Sequence, residues 1–82
     1  MERKVIFDEA GLQAFATRLK EVRKMKNFSQ EDLAYKSGLS LSQIARIETA
    51  RINPTISTIF KISRTLEIKL SELFSFELPP EK

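Results

Sequence analysis

SQEDLAYKSGLSLSQIARIE, residues 29–48, is the stretch that decides the fold. Ser29 opens a helix with a capping box, in which its hydroxyl and the Asp32 carboxylate each satisfy one backbone N–H that a first turn leaves without a partner. That helix is short and ends at Ser37-Gly38, because glycine alone enters the left-handed region cheaply. Ser40 opens a further helix with a second box, Ser40…Gln43, and Ile44 and Ile47 supply its inward face. Ala34 is small where the later helix crosses close to the backbone of the earlier one. Gly38 sets the corner, and Leu33, Leu39, Ile44 and Ile47 hold the two helices at a fixed angle. Each residue alone suits any helical hairpin. Gln30, Ala34, Gly38, Ile44 and Ile47 together, with two capping boxes, specify two short helices locked at one tight corner.

Helical periodicity continues on both sides. Upstream, Leu12, Phe15, Leu19 and Val22 step by three and four, which predicts a helix from Asp8, its N-cap, to Met25. Asn27 suits a left-handed residue after it, and Phe28 follows as a buried anchor. Downstream, Asn53-Pro54-Thr55 is a turn and cap signal for a helix over Ile56 to Leu66, with Ile56, Ile59, Phe60 and Leu66 facing in. A last short helix fits Leu70 to Phe74. The remainder, Ser75 to Lys82, carries two prolines and leaves helix. The alternation Phe74-Ser75-Phe76-Glu77-Leu78 suggests a short strand, with Lys4 to Phe7 as its partner. The other reading is that both apolar ends cover the core. The expected architecture is all-α, five helices with short terminal strands, divided into an arm (1–11), a helical domain (12–74) and a tail (75–82).

Composition narrows the chemistry. Eighty-two residues, 41% hydrophobic and 30% charged, suit one soluble domain whose single core gains from a partner subunit. The sequence has no cysteine and no histidine, which removes the thiolate metal sites, the commonest zinc ligand and the commonest general base. No metal or other cofactor is expected. Carboxylates at Glu21, Glu31 and Asp32 are spaced as solvated helix faces and caps rather than as a catalytic cluster, so no enzyme activity is expected. No apolar run is long enough for a membrane span and the first residues lack a signal-peptide core, so the expected compartment is the cytoplasm. The net charge is +3. Between Arg18 and Arg51 lie eight basic residues (18, 20, 23, 24, 26, 36, 46, 51) and four acidic ones (21, 31, 32, 48), whereas the flanks hold six bases and seven acids. The basic excess therefore sits around the central hairpin and leans towards a polyanionic partner.

Two capped helices at a glycine corner form the helix-turn-helix pattern. With NPTISTIFKISRTLEIKLSELF after it, the stretch resembles the DNA-binding domain of phage repressor and Cro proteins and their bacterial relatives, the xenobiotic-response-element type, over about Phe15 to Phe74. The resemblance implies a five-helix domain with the motif in its second and third helices. It also implies a dimer that binds a palindromic operator on double-stranded DNA and regulates transcription.

In that setting the recognition helix, about 40–48, presents its first turn to the major groove. With Ile44 and Ile47 inside, Leu41, Ser42, Ala45 and Arg46 point outward as the base-reading candidates. Arg46 leads, because a guanidinium fork binds guanine O6 and N7 together; a phosphate clamp or surface ion pair is its other reading. Ser42 offers a hydrogen bond and Leu41 a contact to a thymine methyl. Gln30 opens a helix N-terminus, where N–H groups favour phosphate, and the family places a backbone-contacting glutamine at the matching position. Ser40, Gln43, Thr49, Arg51 and Asn53 are the further backbone candidates. The resemblance also implies a structural ion pair between Arg23 and Glu48.

The chain departs from the family at Ala50 and Glu67, where glycine is usual, and at Lys69, where a polar cap is usual. Either the backbone bends differently at Ala50 and Glu67 or these residues accept left-handed strain of about 1 kcal/mol each. Dimerisation is also expected on physical grounds, since one helix-turn-helix binds DNA weakly and with strong salt sensitivity. No small-molecule ligand is expected. The rival reading is an antitoxin or protein-interaction module built on the same fold.

Overall fold

The computed structural model describes residues 6–80, and four of the five helices there start at a short polar side chain that closes the first turn. Asp8 accepts the Gly11 N–H at 2.9 Å and opens α1 (Glu9–Met25). Ser29 opens α2 (Gln30–Ser37) with both halves of the box formed: its hydroxyl accepts the Asp32 N–H, and the Asp32 carboxylate accepts the Ser29 N–H, each at 2.9 Å. Ser40 accepts the Gln43 N–H at 3.0 Å and opens α3 (Leu41–Glu48). No return bond comes from the Gln43 side chain, so this second box is half-formed. Thr55 caps α4 (Ile56–Leu66) through the Thr58 N–H at 3.2 Å. Lys69 precedes α5 (Leu70–Leu73) without any side-chain cap, and the helix lasts one turn.

The helix ends resolve the question raised by the missing glycines. Asn27, Ala50 and Glu67 all take positive φ, at 60°, 58° and 53°, and each sits in the same hydrogen-bonded turn. The N–H one residue further on returns to a carbonyl in the last helical turn: Phe28 to Arg23 at 3.0 Å, Arg51 to Arg46 at 2.9 Å, Ile68 to Ser63 at 3.1 Å. These bonds satisfy carbonyls that a helix end otherwise leaves open. They hold two ordinary L-residues, Ala50 and Glu67, in a region that costs each about 1–2 kcal/mol. The backbone keeps the bend and accepts the strain.

Phe15, Leu19 and Val22 from α1, Leu33 and Ala34 from α2, Ile44 and Ile47 from α3, Ile59, Ile62 and Leu66 from α4, and Leu73 from α5 form one buried cluster. Phe28, Leu39, Ile52, Ile68 and Phe76 pack against it from the connecting segments. The orientation of α4 differs from the sequence expectation at its first turn. Ile56 is 60% exposed and Phe60 only half-buried, while Ile62 takes the inward place.

The terminal strands are corrected as well. No strand forms among the described residues, and Lys4 and Val5 of the expected partner lie outside them. Phe74 ends α5 and stacks on Phe15 with ring centroids 5.3 Å apart. The chain then folds back locally, the Phe76 N–H donating to the Phe74 carbonyl at 2.8 Å. The alternation that resembles a strand instead places two aromatic rings beside the start of α1.

Candidate nucleic-acid interface

The opposite faces of α3 differ sharply. Ile44, Ile47 and Glu48 are buried, which fixes the rotation of the helix about its own axis. Leu41, Ser42 and Arg46 are exposed on the other side, with Ala45 and Gln43 half-buried beside them. Ser40 uses its hydroxyl on the Gln43 N–H and its carbonyl on the Ile44 N–H. The Leu41 and Ser42 amides therefore have no partner among the described residues, and they carry the positive end of the helix dipole. Arg46 makes no ion pair among the described residues, so its fork is available for an external acceptor.

Behind that face lies a buried polar network. Arg23 donates from Nε to Glu48 Oε2 at 2.7 Å and from Nη2 to Oε1 at 3.1 Å, a two-point pairing of α1 with the end of α3. Arg23 Nη1 donates to the Phe28 carbonyl at 2.8 Å, fixing the turn between α1 and α2. Gln30 Nε2 donates to Glu48 Oε1 at 2.9 Å, so the first residue of α2 joins the network. Arg23 is 8% and Glu48 2% exposed. Among the described residues no buried side-chain nitrogen or oxygen lacks a hydrogen-bond partner. The Arg23–Glu48 pair is the one the family resemblance implies, whereas the Phe28 and Gln30 contacts have no counterpart among the expectations from sequence. Residues 30 and 48 lie on different helices, and no local pattern links them.

The other expected backbone candidates are placed as follows. Ser40 and Thr49 are exposed, as are Arg51 and Asn53 in the segment between α3 and α4. The Thr49 hydroxyl donates to the Ala45 carbonyl at 2.9 Å, so it meets an outside acceptor only by leaving its own helix. The Ala50 and Arg51 amides are committed to the turn, to the carbonyls of Ile47 and Arg46. Arg51 therefore reaches outward through its side chain alone. At the start of α2 the Asp32 carboxyl lies below the usual aspartate range. The bond from the Ser29 N–H is the largest cause, followed by the Ser29 hydroxyl and the nearby Lys36 charge.

An apolar groove of about 340 Å³ adjoins the α3–α4 segment, where Asn53 and Pro54 form part of its wall. Ile6, Leu12, Ile56, Phe74 and Leu78 supply much of its apolar lining. Ile6 is 77% and Leu78 71% exposed. Among the described residues there is no cluster of three or more metal-ligating side chains and no helix long and apolar enough to cross a membrane.

Comparison with known proteins gives one consistent family. The helix-turn-helix family matches residues 19–73. A helix-turn-helix transcriptional regulator of Methanocaldococcus jannaschii is 37% identical over 60 residues, covering 73% of this chain and 91% of the relative. The restriction-modification controller protein C.AhdI from Aeromonas hydrophila superposes with a TM-score of 0.74 at 40% identity, over 77% of this chain and 96% of that one. The controller protein C.Esp1396I, solved as a tetramer with its natural 35 base-pair operator, gives a TM-score of 0.72 at 36% identity, over 77% of this chain and 83% of that one.

Proposed function

The chain belongs to the helix-turn-helix family of DNA-binding transcriptional regulators, and on that premise we propose that it binds a two-fold symmetric operator as a homodimer. The observation that carries this reading is the outward row of α3. A buried inner face leaves Leu41, Ser42, Ala45 and Arg46 directed away from the core, beside two backbone N–H groups without partners. Laid in a major groove, Arg46 reads a guanine, Leu41 packs on a thymine methyl, and Ser42 and Ala45 contact neighbouring base edges. Gln30, Ser40, Gln43, Thr49, Arg51 and Asn53 hold the phosphates and set the register of the helix without choosing sequence.

The dimer reading rests on the apolar groove. Ile6, Ile56 and Leu78 leave a hydrophobic surface that a second copy covers. The groove adjoins the segment that follows the recognition helix, so pairing there brings two recognition helices to one side of the assembly. Two such helices about 34 Å apart meet successive major grooves on one face of the duplex. The tetramer formed by the controller relative on its operator supports assembly on DNA. A regulator of this kind acts in the cytoplasm and responds to its own concentration, without a small-molecule ligand. The same groove supports the second reading, an antitoxin or adaptor that grips a different protein.

Arg46→Ala tests the reader directly. Binding is expected to fall by about 1–3 kcal/mol at one symmetric pair of positions, with relaxed base preference there. Equal weakening on all sequences would reassign Arg46 as a phosphate clamp.

A further inference from the structure

The Glu48 carboxylate is buried at the end of α3 and does more than pair with Arg23. Its Oε1 accepts two hydrogen bonds, from Arg23 Nη2 and from Gln30 Nε2. A carboxylate has no proton to give, so the contact decides how the Gln30 amide is turned: nitrogen towards Glu48, oxygen away. One amide hydrogen is engaged there. The other hydrogen and the amide oxygen have no partner among the described residues, and Gln30 is only half-buried. The Gln30 and Glu31 backbone N–H groups in the same turn are also without partners, because the capping box uses those of Ser29 and Asp32 instead. Arg23 completes the device. Its two-point pairing neutralises Glu48, whereas a bare carboxylate beside a phosphate would repel it.

We infer that Glu48 is a positioning residue for DNA binding: neutralised by Arg23, it aims the Gln30 amide at the phosphate backbone. The end of the recognition helix and the first turn of α2 then grip the duplex as one unit. This rests on the reading of Gln30 as a backbone anchor. It goes beyond an ion pair that merely holds the fold, because it makes the contribution of Gln30 depend on Glu48.

A double-mutant cycle separates the two. Affinity is measured by fluorescence anisotropy on a duplex of arbitrary sequence at low salt, since phosphate contacts carry no sequence information. The proteins are the unaltered chain, Gln30→Ala, the paired replacement Arg23→Met with Glu48→Met, and the combination of all three. Gln30→Ala is expected to weaken binding by about tenfold in the unaltered background, the scale of one hydrogen bond to a charged group, and by less than about twofold once Glu48 is gone. Equal losses in both backgrounds would overturn the positioning role and leave Gln30 as an anchor. No loss in either would overturn both roles while leaving DNA binding itself intact.

NMR of the unaltered protein gives a test that does not depend on a variant folding. The Gln30 side-chain NH₂ is expected to be ordered, with a ¹⁵N–¹H heteronuclear NOE close to that of the helical backbone, unlike that of the exposed Gln13. A Gln30 amide as mobile as Gln13 would overturn the proposal.

Discussion

The outer face of α3 and the groove beyond the α3–α4 segment are both open to solvent, and their chemistry is opposite. The α3 face presents Leu41 among short or polar side chains, one arginine and unpartnered backbone donors, backed by the Arg23–Glu48–Gln30 network, and among the described residues no buried side-chain polar atom lacks a partner. The groove presents isoleucine, leucine and phenylalanine with little polar relief. One surface suits a polyanion and the other an apolar partner. On the proposed reading the first surface meets DNA and the second a partner chain, and a short segment that carries Ala50 in a left-handed turn joins them.

Disturbing the support behind α3 is expected to have the largest effect. Glu48→Ala strands the buried Arg23 charge and removes a partner of Gln30, at a cost of about 3–5 kcal/mol. That is a large share of the roughly 4–12 kcal/mol available to a chain this long. Denaturant unfolding measures it, and a loss below about 1 kcal/mol would mean that the pair behaves like a solvated surface contact.

A change in the groove should act on assembly and spare the fold. Ile56 is mostly exposed in the single chain, so Ile56→Glu should leave thermal unfolding of the monomer nearly unchanged. In a symmetric dimer the change occurs twice, and losing about 1.5–3 kcal/mol per copy weakens self-association at least about a hundredfold. Analytical ultracentrifugation reads this. A chain that is monomeric before mutation would assign the groove to some other partner.

The smallest effect concerns the capping box of α2. The Asp32 pKa is lowered in the folded chain, so its contribution is fully present above the ordinary aspartate pKa and is lost as pH falls through the lowered value. Asp32→Asn is expected to reduce the melting temperature near neutral pH, with the gap from the unaltered protein closing in acid. A gap that stays constant down to low pH would detach the effect from the Asp32 charge.

What the sequence made legible follows from what is local. Asp8, Ser29, Ser40 and Thr55 cap helices because each needs only its own first turn, and Gly38 marks a corner by its backbone freedom alone. Ala50 and Glu67 announce a departure from glycine, but whether the chain bends or strains depends on the returning bonds to Arg46 and Ser63. Ile56, Phe60 and Ile62 share one helix, and periodicity does not say which arc meets the core until the neighbouring helices are placed. Phe74 to Leu78 misleads for a related reason. A two-residue alternation fits a strand, yet it also fits a tight turn that sets two rings on one side. The Gln30–Glu48 contact spans 18 residues and joins two helices, so only the assembled corner reveals it.

Selection of bound duplexes from a random library decides whether this fold reads a symmetric DNA sequence as a pair. The expected result is an enriched site with two inverted half-sites about one helical turn apart, roughly 10–10.5 base pairs between centres. Recovery of no enriched sequence, or of a single asymmetric motif bound by one chain, would contradict it.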